Sequence, residues 1–503
     1  MALVATRAAR HPAARIRAEE KNAMTVVLET RADITLDALR RVAWEGEGVA
    51  LAEAARTRMA ESRREFLALV ESDPDLVIYG VTTGPGHTVG KRLSPEERDR
   101  QARRPPWPAA VSFGEAAPER VARAIVLARL ANYLGGHAAI SPEIAEAVAA
   151  LLDQGPLPRV PLAGNGGAGE ILPLSHLFGP LAERMPLGPK DCMALINGAP
   201  VGAALVGDQA LAAARRIALA LDVFALAAEA FAAPLDAYDA ALDALWGDDH
   251  EAWALAGIRA RLAGGTSARR PHQAPVSYRI LPRVLGQAHR VLAEAERAAT
   301  ISLASVTDNP VYIAPDAAHP LGRVLSNGGY QNAQSAPALD GLAGAYADLC
   351  LLAERQGTAL IDPRISGLAD ELRVGDGYIG CLGMAQTGIV EAAREAATRT
   401  FLPAGAAGGF GQNDVASPCV FAWTKAGEAG EALDAALAIL AAIASQALFV
   451  TGRAATGALA PLLETVRERF PPVTAARPLG PDIDRLASAF SARVLPASAA
   501  TSG

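Results

Sequence analysis

The sequence predicts a mainly helical protein built around a bundle of long helices. Three observations carry that expectation. Alanine, leucine and arginine dominate a chain of 503 residues that is 51% hydrophobic, and these residues enter a helix at little cost. Ala/Leu-rich segments recur at 200–233, 280–304, 336–360, 382–399 and 427–450, several of them longer than an ordinary globular helix. No stretch keeps the period-two alternation of half-buried strands, and no repeat of 20–50 residues is apparent.

Taken in order, residues 1–23 contain arginines but no apolar run, so they read as a disordered extension and not a signal peptide. Met24 is an alternative start. Residues 24–199 form an expected N-terminal domain and 200–503 an expected long-helix domain. A short helix follows Thr35, a capping residue type. Val49 to Leu69 has apolar residues at helical spacing. Asp75 to Tyr79 is an apolar run that leads into Y-G-V-T-T-G-P-G, Tyr79 to Gly86, a Gly/Pro/Thr cluster that reads as a loop. Arg103 to Gly114, with Pro105, Pro106 and Trp107, is irregular. Pro118–Leu134 and Pro142–Leu152 read as helices. Ala432 to Val450 is the most apolar segment, but Asp434 and Gln446 interrupt it, which favours a buried core helix over a membrane span.

Composition excludes several classes. The net charge is −7, which suits neither nucleic acid nor an anionic membrane. Four cysteines (Cys192, Cys350, Cys381, Cys419) lie far apart, so a reduced, cytoplasmic setting without structural disulfides is expected. Eight histidines form no H-x-x-x-H or H-E-x-x-H pair, and no metal or nucleotide is implied.

The densest signal is G-N-G-G-A-G-E-I-L-P-L-S-H, Gly164 to His176. Interior glycine costs a helix or strand roughly 0.5–1 kcal/mol, so four glycines in six residues serve backbone shape and close packing. Pro173 stands where a helix could begin. By itself this is a tight loop before a core helix. Other short motifs have similarly plain readings. Tyr79 before Gly80 is often only a packed ring. Ala194-Leu195-Ile196-Asn197-Gly198 contains an Asn-Gly turn, and Thr307-Asp308-Asn309-Pro310 an Asn-Pro turn.

Together, however, these segments resemble the aromatic amino acid lyases, the family of histidine, phenylalanine and tyrosine ammonia-lyases. The resemblance runs from about Met24 to near Cys419. It rests on Y-G-V-T-T-G at Tyr79, the glycine loop, A-L-I-N-G at Asn197, and Gln273-Ala274-Pro275-Val276-Ser277-Tyr278-Arg279. It also rests on D-N-P at Asn309, Ser326-Asn327-Gly328-Gly329-Tyr330, Asp362-Pro363-Arg364-Ile365-Ser366-Gly367-Leu368, and Gly411-Gln412-Asn413-Asp414. It implies an all-α, ammonia-lyase/fumarase-like fold and a homotetramer whose active sites are shared between subunits.

It also implies roles. Tyr79 corresponds to the base that takes the β-proton; a phenol does this near neutrality only with a suitable neighbour. Arg279 corresponds to the clamp on the substrate carboxylate, and Asn197 to a residue beside the electrophile and the substrate. Asn309, Tyr330, Gln412, Asp414 and His87 are the expected substrate-binding set, although His87 reads equally as exposed. The family's second tyrosine is Val276 here, and its role is not carried onto Tyr278. Glu391 and Glu395 are either a substituted acid or a solvated helix face.

Two departures shape the functional expectation. In the family an Ala-Ser-Gly tripeptide cyclises into methylidene-imidazolone, and the methylidene arises by loss of the serine hydroxyl. Here the tripeptide is Gly167-Ala168-Gly169, and Ala168 has no hydroxyl to lose. Asn413 replaces the family's glutamate at the amine end. No cofactor is therefore expected. The fitting substrate is a small molecule with a quaternary amine, such as ergothioneine or another aromatic amino acid betaine, as in the family's ergothionase-type branch. Tyr330, Trp107 and Asp414 are candidates for the wall facing the cation. Another electrophile-free lyase or isomerase, or a non-catalytic scaffold or binding protein, stays open.

Overall fold

The computed structural model describes residues 25–73, 75–271, 273–403, 411 and 413–493, without the side chain of His87. The expected extension 1–23, Met24 and Gln412 lie outside the described residues. The chain is mostly helical, as expected, with three two-stranded sheets among the described residues.

It divides into two compact units. The first takes 25–208, 299–332 and the described part of 402–417; the second takes 209–298, 333–401 and 418–493. Segment 299–332 and the described part of 402–417, which the sequence places in the long-helix region, thus cluster with the N-terminal part.

In the first unit, Thr25–Leu28 pairs in parallel with Gly48–Leu51. Val49–Leu51 is therefore strand, contrary to the helical spacing read there. Val26, Leu28, Val49 and Leu51 are buried alternately, a period of two that is too short to see without the partner strand. The helix begins only at Glu53 and runs to Ser72. Thr35 does cap a short helix, Leu36–Leu39, by accepting from Ala38 N. The helix Glu119–Leu134 forms the centre of this unit and is buried almost throughout. Helix Ile171–Arg184 follows the glycine loop. Pro173 sits in its first turn, where amides have no intrahelical acceptor and a missing N–H is tolerated.

The second unit is the expected bundle. Ser335–Ile361 packs on Cys419–Val450, flanked by Leu382–Ala396 and Gly480–Ser491. Ser335–Ile361 and Cys419–Val450 are long and apolar enough to cross a membrane by length and composition, yet 61% and 83% of their most apolar windows are buried inside the protein. Asp434 and Gln446, both buried in the second helix, are satisfied. Asp434 accepts from Arg215 and Arg216. Gln446 donates to Leu372 O and Val473 O and accepts from Val473 N. Pairing of buried polar groups offsets much of their desolvation cost and favours one helix register.

One titrating cluster lies in this unit. His289 stacks on Trp253 with centroids 4.0 Å apart, and its Nδ1 lies 2.9 Å from Nδ1 of His250. Burial and the neighbouring histidine push His289 down to about 4, from an ordinary value of 6.5. The unfolded chain therefore binds more protons than the folded one between those values. Stability is expected to fall as pH drops from about 6.5 to about 4. In acid denaturation followed by circular dichroism, His289→Phe, which keeps the stack but cannot titrate, should flatten that slope.

Candidate active site

A cavity of about 940 Å³ opens in the first unit, and its wall includes Tyr79, Ala168, Gly169, Asn197, Asn309 and Tyr330. The size is typical of a small-molecule site. Each of these residues is held by local structure.

Tyr79 lies between Ile78 and Val81, which anchor in an apolar cluster with Phe66, Ala139 and Tyr312. The adjoining turn is closed by Thr82, whose hydroxyl accepts from Ile78 N and donates to Leu76 O, both at 2.7 Å. The phenolic oxygen of half-buried Tyr79 accepts from Gly86 N at 2.8 Å. The ring is thus fixed at both ends, backbone and hydroxyl.

The glycine loop is pinned by Asn165. Its carbonyl oxygen accepts from Ser112 Oγ at 2.7 Å, and its amide donates to Pro161 O and Leu162 O. Gly167 does not line the cavity; its carbonyl accepts from Ser417 N at 3.0 Å. Gly169 has φ +65°, and a Cβ there would sit 3.3 Å from the Tyr330 ring, so glycine permits both the turn and the packing of that ring. Buried Glu170 then locks the loop, accepting from Val201 N and Gly202 N at the start of helix Pro200–Phe231. A carboxylate at a helix N-terminus meets both free amides and the positive dipole end.

Asn197 ends the helix Asp191–Ile196. Its side-chain amide donates to Asn309 O, and its own carbonyl accepts from buried Arg129. Gly198 has φ +104°, and a Cβ there would approach Thr307 Oγ1 to 2.8 Å; the second glycine requirement of the site is therefore steric as well as conformational. Asn309 accepts at Oδ1 from Asn327 N at 2.9 Å, and its own N–H donates to Asp308.

Sequence reasoning missed Lys190. This fully buried lysine lines the cavity, pairs with Asp308 at 2.5 Å and donates to Ala138 O. Burial pulls its ammonium below the ordinary value, and Asp308 opposes that pull. The pair spans 118 positions of sequence, and no local motif announces it.

The other expected residues are placed differently. Asp414 is exposed and does not line the cavity, although Asn413 does. The side chain of His87 lies outside the described residues; its backbone is part of the short turn Gly86–Thr88. Trp107 is not in the wall: its ring packs beside Gly179, and its indole N–H points to Glu183 at 3.4 Å. The flanking prolines explain this, because Pro106 and Pro108 take the cavity side. Glu391 and Glu395 are exposed, Glu391 beside Arg394, which matches the solvated-face reading. Tyr278 is fully buried in the second unit, stacked on Phe231 and donating to Gln356 O, a core residue. Arg279 also belongs to the second unit. It is exposed, its Nε–H donates to Ala274 O at 3.0 Å, and it has no acidic partner among the described residues. No group of three or more histidine, cysteine or acidic side chains converges as a metal site among the described residues.

The family model described as aromatic amino acid lyase matches residues 34–184 and 182–470. A histidine ammonia-lyase from Symbiobacterium thermophilum is 30% identical over 497 aligned residues, covering 92% of this chain and 96% of the relative. Among solved structures, ergothionase from Treponema denticola, in complex with desmethyl-ergothioneine sulfonic acid, superposes with a TM-score of 0.83 at 21% identity. It covers 93% of this chain and 98% of its own. A tyrosine aminomutase from Streptomyces globisporus gives 0.81 at 26% identity, covering 91% and 95%.

Proposed function

This chain belongs to the aromatic amino acid lyase family and is a carbon–nitrogen lyase, and from that premise we propose that it eliminates a tertiary amine from an aromatic amino acid betaine without an electrophilic cofactor. The observation that carries this reading is Ala168. It stands at the cofactor-loop position and faces the same cavity as Tyr79. Its methyl side chain has no oxygen to lose, so the residues present do not fit methylidene-imidazolone.

The chemistry then follows from the leaving group. A primary amine leaves poorly and loses its own proton to a base. A quaternary trimethylammonium has no N–H and no lone pair, and it departs as neutral trimethylamine. On this reading Tyr79 takes the β-proton, the C–H electron pair becomes the Cα=Cβ double bond, and the C–N bond breaks with its electrons staying on nitrogen. The product is an aromatic acrylate. The amide of Gly86 holds the Tyr79 oxygen in place. Tyr330, braced on the loop at Gly169, offers an aromatic face to the cation. Asn197 and Asn309 supply the polar wall.

Arg279 is retained as the carboxylate clamp, since bidentate Arg–carboxylate pairing fixes orientation as well as energy. Its exposed guanidinium suits delivery from a neighbouring subunit of a homotetramer with shared sites. Ergothioneine is the best candidate substrate, a choice supported by the fold shared with ergothionase. Intact mass spectrometry tests the cofactor-free state. The mature chain should show no deficit of two waters, and a protein that carries such a deficit contradicts the reading.

A further inference from the structure

The cavity wall also holds a cation that this elimination does not use. Arg104 lines the cavity together with Tyr79. It follows the helix Pro95–Ala102 by two positions, and Pro105 and Pro106 come next, so the chain around it has little backbone freedom. The helix end is tied to the Tyr79 loop, because Gln101 Nε2 donates to Gly80 O at 2.9 Å and to Thr83 O at 3.4 Å. Arg104 N in turn donates to Gln101 O at 3.2 Å. The backbone at Arg104 is therefore tied to the Tyr79 loop, while the residue itself is exposed.

The other charges in the wall are already matched. Lys91 pairs with Glu97 at 2.7 Å, and Lys190 with Asp308. Glu170 accepts from two backbone amides. The Arg104 guanidinium has neither a hydrogen bond nor an acidic partner among the described residues. Its charge reaches Cys192, another wall residue, where it works against the burial that pushes the thiol up to about 12.

An unmatched guanidinium repels a quaternary ammonium and attracts planar anions in its fork. With the α-carboxylate assigned to Arg279, an electron-rich acceptor on the substrate ring is the group left for it. Resting on the elimination reading, we propose that Arg104 is a specificity-determining residue that hydrogen-bonds an electron-rich acceptor on the substrate ring, the thione sulfur in ergothioneine or a carboxylate in a related betaine, on the side away from the leaving amine.

Matched product-type ligands test this without turnover. Binding of cinnamate, with one carboxylate, and 4-carboxycinnamate, with two, is measured by calorimetry at low salt. The wild-type protein should prefer the dianion by roughly tenfold or more, the scale of a charge-assisted hydrogen bond. Added salt should narrow that ratio. Arg104→Gln should bring it to near one, and Arg104→Lys should keep part of it. A wild-type ratio near one, an unchanged ratio in Arg104→Gln, or binding of neither ligand overturns the proposal. Should the ratio and its loss in Arg104→Gln hold while no betaine is ever turned over, the elimination reading fails and the anion site stands.

Discussion

Tyr79→Phe should lower kcat for amine elimination by roughly 10²–10⁴-fold, the usual worth of a positioned acid or base. KM should change little, because the ring and its apolar anchors Ile78 and Val81 remain. The structural loss is confined to one hydrogen bond, from Gly86 N to the phenolic oxygen, which contributes about 0.5–1.5 kcal/mol. A folded Tyr79→Phe protein with no activity supports the base. One with full activity would shift the account to a scaffold or to a different base in the same wall. The split between kcat and KM matters, since loss of mere packing would raise KM and lower stability together.

Asp434→Ala should give the largest loss of stability of any single change in the bundle. Asp434 is 2% exposed, and Arg215 and Arg216, at 5% and 7%, both donate to it. Ser491 Oγ adds a fourth contact at 3.2 Å. Removing the carboxylate leaves two buried guanidinium groups without a counter-charge, and breaking a buried pair in this way costs about 3–5 kcal/mol. Chemical denaturation should show a lower midpoint. Asp434→Leu combined with Arg215→Met and Arg216→Met should recover part of the loss, because apolar residues remove the unpaired charges as well as the pair. Equal midpoints for wild type and Asp434→Ala would mean that water or a neighbouring group compensates the arginines.

Features that are local in sequence were legible before the structure. The long helices were, because their composition and length speak for themselves. The glycine loop was, because its backbone demands appear as residue identity at Gly169 and its neighbours. Asn197 and Asn309, 112 positions apart, could be brought to one site only through family resemblance. What stayed hidden depends on partners far along the chain. The strand at Val49 exists because Thr25–Leu28 lies beside it. The Lys190–Asp308 pair joins two helix-free segments that carry no common pattern. Arg104, an exposed residue, stands in an irregular stretch where Trp107 drew attention, yet the prolines turn the indole away and leave the arginine in the wall. The two units also interleave in sequence, so a single boundary at residue 199 does not trace them.

The most direct test of cofactor-free elimination is an ultraviolet assay of the purified protein against ergothioneine, histidine betaine, histidine, phenylalanine and tyrosine. Each elimination creates a conjugated acrylate with strong new absorbance. The account predicts product from a quaternary substrate, ergothioneine first, with trimethylamine released, and none from the three primary amines. Acrylate and ammonia from histidine, phenylalanine or tyrosine, with the betaines inert, would contradict it.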